Sequence, residues 1–451
     1  MEKTTLRIGT GAGYAGDRIP PAVELAEKGL LDYLVFECLA ERTIALAQLE
    51  RSQHPEKGFD PMLAERMRAV LKACVDQGTR IISNMGAANP LQAGHAVLAI
   101  ARELGLPQIK VAVVLGDDVL TTLTTQHLSL PVLESNQTLA DLQPQLISAN
   151  AYLGAEALLP ALQTDAQVII TGRVADPALF LAPLVHHFGW ALDDWPRLGK
   201  GVLVGHLLEC AAQITGGYFA DPGYKDVPDM ARLGFPLAEV CASGDAVITK
   251  VAGSGGCVTV ATCTEQLLYE IETPARYLQP DVVADFSQVQ LTQIGPDRVQ
   301  VTGGHGSPRT DTLKVTVGYR DGFIGEGQIS YAGPGAQARG QLALDLVRAR
   351  LADAGYKDYE GRYDLIGVNA IAGEPITPTE PAEVRARVAL RVPKQHQAQH
   401  VAHEVEALYL NGPAGGGGAT RAVREVIAAA AVLMPRDAVQ TSTVLLNAEG
   451  H

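Results

Sequence analysis

The sequence predicts an α/β protein: a parallel sheet covered by helices in the first half, followed by a smaller α+β domain. Two patterns predict it. Up to about residue 242, short apolar runs alternate with amphipathic stretches, as strands and crossover helices do. Beyond that point strand-like runs follow one another with less regular alternation. The length of 451 residues, with 47% hydrophobic, is enough for two cores. The change of pattern places the domains at 1–242 and 243–451.

The strands predicted for the first half are 6–9, 32–37, 80–83, 109–115 and 167–171. They are rich in Val and Ile and mostly apolar at successive positions, which suits strands buried on both faces of an open, Rossmann-like sheet. Helices are predicted at 61–77 and 92–104, and Gly29, Gly78 and Gly105 stand where C-terminal caps belong. In the second half the predicted strands are 257–263, 299–302, 314–319, 323–331, 365–370 and 384–392. Helices are expected near 336–352 and 419–431. The segment GEPITPTEP at 373–381 and the tail after Leu446 read as the most mobile pieces.

Composition narrows the function. A net charge of −14, from 36 basic and 50 acidic residues with no basic block, argues against a nucleic-acid partner. No apolar run reaches the ~20 residues of a membrane span. The start, MEKTTLRIG, lacks a signal-peptide core, so a cytoplasmic location is expected. The 6 cysteines show no C-x-x-C or metal-like spacing and read as buried thiols. P-loop, H-E-x-x-H, G-x-S-x-G and kinase motifs are absent.

The candidate site comes from position. Each predicted parallel strand runs into small or polar residues: Asp17 and Arg18 after the first, Glu37 after the second, Asn84 and Asn89 after the third. Asp117 and Asp118 follow the fourth, and Thr171, Arg173 and Asp176 the fifth. Ligands of open α/β sheets bind at the carboxyl ends of strands, so these residues are expected on one rim. Gly11-x-Gly13-x-x-Gly16, with Glu37 some way downstream, matches a dinucleotide loop in outline. Pro20 and Pro21, however, start the helix too late for that, so NAD or FAD is disfavoured and an anion or substrate loop expected. Lys250 opens a second Gly-rich loop. Asn411 opens a third, with Gly415, Gly416 and Gly417 ahead of the predicted helix, a setting that suits an anion. His206 and Glu209, three apart on a helix, form a candidate acid–base pair. His186 and His187 read as structural, and His396, His400 and Glu404 as a solvated face.

Several of these residues also carry a family resemblance. GTGAGYAGDR at 9–18, GAANPLQAG at 86–94, VIITGRVADPALFLAPLVHHFGW at 168–190, the long block at 205–240 and NGPAGGGG at 411–418 are similar to the acyclic terpene utilisation (AtuA-like) family. The likeness runs over nearly the whole chain. It implies a role in breakdown of citronellol- and geraniol-like terpenoids through branched CoA thioesters. The activity expected from it is that of a lyase or hydratase on a hydroxy or unsaturated acid, free or as its CoA ester. In that reading Arg173 clamps a carboxylate, the glycine loops hold anionic groups, and Asp17 or Glu37 is the base. Asp117 and Asp118 are candidate Mg²⁺ ligands. Longer relatives append a small ferredoxin-like domain, which implies a small partner subunit; a homo-oligomer is also expected. The alternatives are a non-catalytic subunit needing that partner and a nucleotide-dependent oxidoreductase.

Overall fold

A computed structural model describes residues 4–374 and 380–447. Most of the predicted mobile segment 373–381 and the tail beyond Asn447 therefore lie outside the described residues. The chain forms two compact units, 1–318 with 429–451, and 319–428.

The first unit is built on a ten-stranded mixed sheet. Its first strands in the chain are β1 (Thr5–Ala12), β2 (Tyr33–Phe36), β3 (Arg80–Ser83) and β4 (Val111–Leu115). After β5 (Leu146–Ala151), which pairs elsewhere, come β6 (Val168–Thr171), β7 (Pro236–Cys241) and β8 (Ala246–Lys250). The centre runs β1-β2-β3-β6-β4, and every neighbouring pair in it is parallel. These are the five strands expected from their apolar runs. β2 and β6 are buried at every position, as strands covered on both faces must be.

Antiparallel strands extend the sheet on both sides. β7 pairs with β1, β8 with β7, and then come Arg298–Thr302 and Gln290–Gly295; Ser442–Leu446 closes the other edge against β4. β7 and β8 lie on either side of 242/243, with Ala238 opposite Ile248. Helix Leu63–Gln77 turns Leu63, Met67, Val70, Leu71 and Cys74 into the core, where they meet Phe36, Ile81 and Val97. It ends at Gly78, which takes the left-handed conformation at φ 72° that a residue with a Cβ resists.

The second unit is an antiparallel sheet carrying helices. Glu383–Val392 alternates buried and less buried residues and pairs with Gly361–Ile366 and with the strand that ends at Ala332. Val384, Ala386, Val388 and Leu390 pack against Leu344 and Val347 of helix Ala336–Asp353 and Val401 of helix Gln395–Glu406.

Three expectations are corrected. Residues 257–263 are not a strand: Thr259 caps helix Val260–Leu268 by accepting from the Thr262 amide, and an N-cap ends extended structure. The two strands 314–319 and 323–331 are one strand, Thr312–Ala332. Segment 419–431 is not a helix but part of strand Gly417–Pro435, sheet pairing overriding the helical preference of its alanines. Among the described residues no helix is long and apolar enough to cross a membrane.

Candidate active site

Where the parallel strands end, the first unit holds a cavity of about 750 Å³. Gly13–Ala15 follow β1 onto its wall, Glu37–Glu41 follow β2, and Arg173, Asp176 and Pro177 follow β6. Glu209 and Cys210 enter from the end of helix Trp195–Leu208, and Tyr152, Glu270, Tyr277 and Lys314 complete the polar side.

Arg173 is the central cation and is 2% exposed. Its backbone N–H donates to Asp117 Oδ2 at 2.8 Å. Its Nη1 donates to the Leu39 carbonyl and to Asp176 Oδ1 (2.8 Å), and its guanidinium lies 4.1 Å from the centre of the Tyr152 ring. Nε is buried without a hydrogen-bond partner in the protein. Burial disfavours the charge, but Asp176, Tyr152 and Glu37 outweigh it and hold the guanidinium protonated. Lys314 Nζ sits 4.8 Å from the centre of the same ring and 3.2 Å from Glu41 Oε1. The Tyr152 hydroxyl donates to the same Glu41 oxygen. Burial works against ionisation of Glu41, yet that hydroxyl with Arg173 and Lys314 brings its carboxyl down to about 2.

The other carboxyl groups move the opposite way. Glu37 Oε1 accepts from the Leu39 amide (2.9 Å) and Asn84 Nδ2 (3.0 Å). Burial, and then repulsion from Asp176, still push it well above the usual carboxylate range. Burial also raises Asp176 against the pull of Arg173. Glu209 is pushed up to about 7 by burial; its Oε1 bonds His206 Nδ1 at 3.0 Å, while its buried Oε2 has no partner. Burial lowers and Glu209 raises the His206 imidazole, with a net rise. Thus the cavity holds carboxyl groups raised by burial, Glu209 to about 7, beside one fixed guanidinium, a combination suited to general acid–base chemistry. Cys38 and Cys210 also line it, but burial drives both thiols up, so neither is a ready thiolate.

The predicted site residues divide into wall, support and elsewhere. Glu37 and Arg173 form wall. Asn84 and Asp117 stand behind it, Asn84 holding Glu37 and Asp117 the Arg173 backbone. His206 stands behind Glu209, between that carboxyl and the Leu267 carbonyl (3.2 Å), with Phe286 stacked on its ring. Of that pair, Glu209 is the member on the wall. Asp17 folds the glycine loop, accepting from the Gly13 amide (2.9 Å) and the Arg18 amide (2.7 Å).

Gly11 and Gly13 have packing roles. A Cβ on Gly11 would lie 2.5 Å from the Phe36 ring, and one on Gly13 2.6 Å from the Cys210 backbone. Gly16 lies against Tyr14. Fully buried Arg66 ties the loop by donating to the carbonyls of Tyr14, Ala15 and Asp17. The Gly13 amide is thus committed to Asp17, and helix Pro20–Lys28 opens with two prolines that lack an N–H. With Gly13 so committed and the helix starting only at Pro20, the loop departs from the glycine loop that leads straight into a helix and binds a pyrophosphate.

The remaining candidates serve other places. Arg18 is exposed and donates to the Ala231 carbonyl (3.2 Å), and Asn89 fastens the carbonyls of Pro55 and Lys57. Thr171 Oγ1 donates to the Gly172 carbonyl (3.0 Å), and Lys250 pairs with the Ser254 carbonyl (2.7 Å) and Asp297 (3.2 Å). Asp118 pairs with Arg51 at 3.6 Å. Neither Asp117 nor Asp118 lies on the cavity wall, and no group of three or more metal-binding side chains occurs among the described residues. Asn411, Gly415, Gly416 and Gly417 belong to the second unit, and the loop feeds a strand. The helix end that would have favoured an anion there is therefore missing.

Tyr152, Lys314 and Arg66 escaped the sequence reading. Tyr152 follows a strand that was not predicted, and nothing in local pattern marks a Lys or Arg whose partners lie far along the chain.

Comparison with curated proteins and with solved structures gives no match. The model of the acyclic terpene utilisation family matches residues 6–445, from the first parallel strand to the closing edge strand of the large sheet. With nearly its whole length covered, the chain belongs to the acyclic terpene utilisation family.

Proposed function

We propose that the chain is a lyase or hydratase acting on a branched hydroxy or unsaturated acid, carried as its CoA thioester, in acyclic terpene breakdown. The observation that carries this reading is Glu209: a wall carboxyl raised to about 7, oriented by His206 through one oxygen and unpartnered at the other. A carboxyl with that pKa is divided between acid and base at neutral pH, which is where proton transfer is most efficient. The parallel core is taken as an open, Rossmann-like sheet whose ligand sits at the strand ends.

In the proposed reaction Glu209, ionised, removes the proton next to the thioester carbonyl. Glu37, whose carboxyl burial raises, delivers a proton to the departing β-hydroxyl, so that water leaves as the double bond forms; hydration is the reverse. Arg173, on the cavity wall, brings its positive charge to the carbonyl oxygen and stabilises the charge that develops there.

The test is interconversion of branched 3-hydroxyacyl-CoA and enoyl-CoA esters by the purified protein and by Glu209→Gln and Glu37→Gln. The proposal expects turnover that falls at least ~100-fold in either variant. Full activity in both variants would refute it.

A further inference from the structure

Strand Gly417–Pro435 is the outermost strand of the sheet in the second unit. Strand Thr312–Ala332 holds one of its edges, and among the described residues no strand takes the other. At its start the Ala419 N–H donates to the Tyr409 hydroxyl (3.0 Å). Further on, the Ala431 N–H donates to Glu134 Oε2 and its carbonyl accepts from the Leu133 amide, both at 2.9 Å. The stretch between these points is an open edge, which offers backbone N–H and carbonyl groups to another strand. Its side chains alternate between the two faces of the sheet, so Arg421, Val423 and Glu425 share one face. Val423 packs against the core of the unit. Arg421 meets Glu406 at 3.0 Å and Glu425 meets Arg320 at 2.9 Å, pairs in contact with water that contribute little to stability.

We infer that this edge pairs, antiparallel, with the same edge of a second copy of the chain, about a two-fold axis at Val423. In that register Arg421 faces the partner's Glu425, Glu425 faces the partner's Arg421, and Val423 lies between them against its own copy. The two-fold axis makes the charge pair occur twice. Opposite charges directly across a strand pair stabilise it, and like charges oppose it. On the other face Arg424 stands opposite the partner's Ala422, whose small side chain leaves it room. The neighbouring registers fit less well. Centred on Arg424, that residue would meet its own copy; centred on Ala422, no acid would face a base. Charges on an open edge commonly keep other strands away, whereas these are self-complementary. Tyr409 and Leu410, 51% and 95% exposed, add apolar surface where the strand begins. The pairing does not depend on the proposed reaction.

Light scattering on the full-length protein should give twice the 47.7 kDa of one chain, or a multiple of that pair. Arg421→Glu and Glu425→Arg each set like charges opposite one another at both places. Either should weaken the pairing at least ~100-fold and halve the mass. Mixed together, the two variants should pair again, because one now carries acids at both positions and the other carries bases. Circular dichroism checks that each variant folds. The doubly exchanged chain, Arg421→Glu with Glu425→Arg, should associate like wild type, although it loses the contacts with Glu406 and Arg320. Should a single variant not fold, that chain decides: association supports the pairing and a monomer refutes it. A monomeric wild type, a mass unchanged by either single exchange, or folded variants that stay apart on mixing would overturn the inference.

Discussion

Asn84 joins the ends of two neighbouring parallel strands: its Nδ2 donates to Glu37 Oε1 at 3.0 Å and its Oδ1 accepts from the Cys38 amide at 2.7 Å. The residue is fully buried, and Cys38, whose amide it holds, is 2% exposed. Asn84→Ala should cost about 2–3 kcal/mol, the penalty for leaving buried polar groups unpaired. Urea denaturation of wild type and variant measures it; unchanged stability would show that Glu37 is held by something else.

Arg173 is bound on one side and free at Nε, so charge alone does not define its role. Arg173→Lys keeps a cation but loses the planar face over Tyr152 and the second donor. It should reduce kcat/KM at least ~10-fold, about 1.4 kcal/mol of transition-state stabilisation. Arg173→Ala should lower stability as well, because Asp176 loses its partner. Steady-state kinetics together with denaturation curves separate the two effects.

Asp117 is 4% exposed and burial pushes its carboxyl up to about 6, although it accepts from Arg173 N and Asn150. A carboxyl raised in the folded state favours folding below its unfolded pKa. That stability is lost as pH rises from about 4 to about 6. Asp117→Asn keeps an acceptor for both donors and cannot ionise. Relative to wild type it should gain stability over that window, by roughly 3 kcal/mol at most for a shift of about two pKa units. Denaturation midpoints of the two proteins across the window supply the check. A constant difference would contradict the assignment.

Gly13 is where the β1 loop meets the Glu209–Cys210 segment. A Cβ there would stand 2.6 Å from the Cys210 carbonyl carbon and 2.8 Å from its Cα, and backbone cannot move aside as a side chain can. Gly13→Ala should cost about 1–3 kcal/mol, as overpacking does, and displace Glu209. Thermal melts and activity should fall together; loss of neither would mean that the two segments are not rigidly packed.

The parallel core was legible because strands buried on both faces write unbroken apolar runs into the sequence, as at Tyr33–Phe36 and Val168–Thr171. Of the polar residues read at the ends of such runs, Glu37 and Arg173 reach the cavity wall, while Asn84 and Asp117 stand behind it and Asp17 folds the glycine loop. β5 and Ser442–Leu446 were not, because their partners lie far along the chain and their own patterns are weak. Segment 419–431, with its run of alanines, shows local preference yielding to sheet pairing. The division of labour between His206 and Glu209 was equally hidden, because spacing pairs two residues without saying which one faces the cavity.

The pH dependence of kcat/KM for a branched 3-hydroxyacyl-CoA, in wild type and in Glu209→Gln, bears most directly on the acid–base account. Wild type should show an inflection near 7, where the Glu209 carboxyl ionises, with the dehydration rate rising as the base form appears. Glu209→Gln should be at least ~100-fold slower with that inflection gone. An identical profile in the variant would contradict the account, since some other group would then be moving the proton.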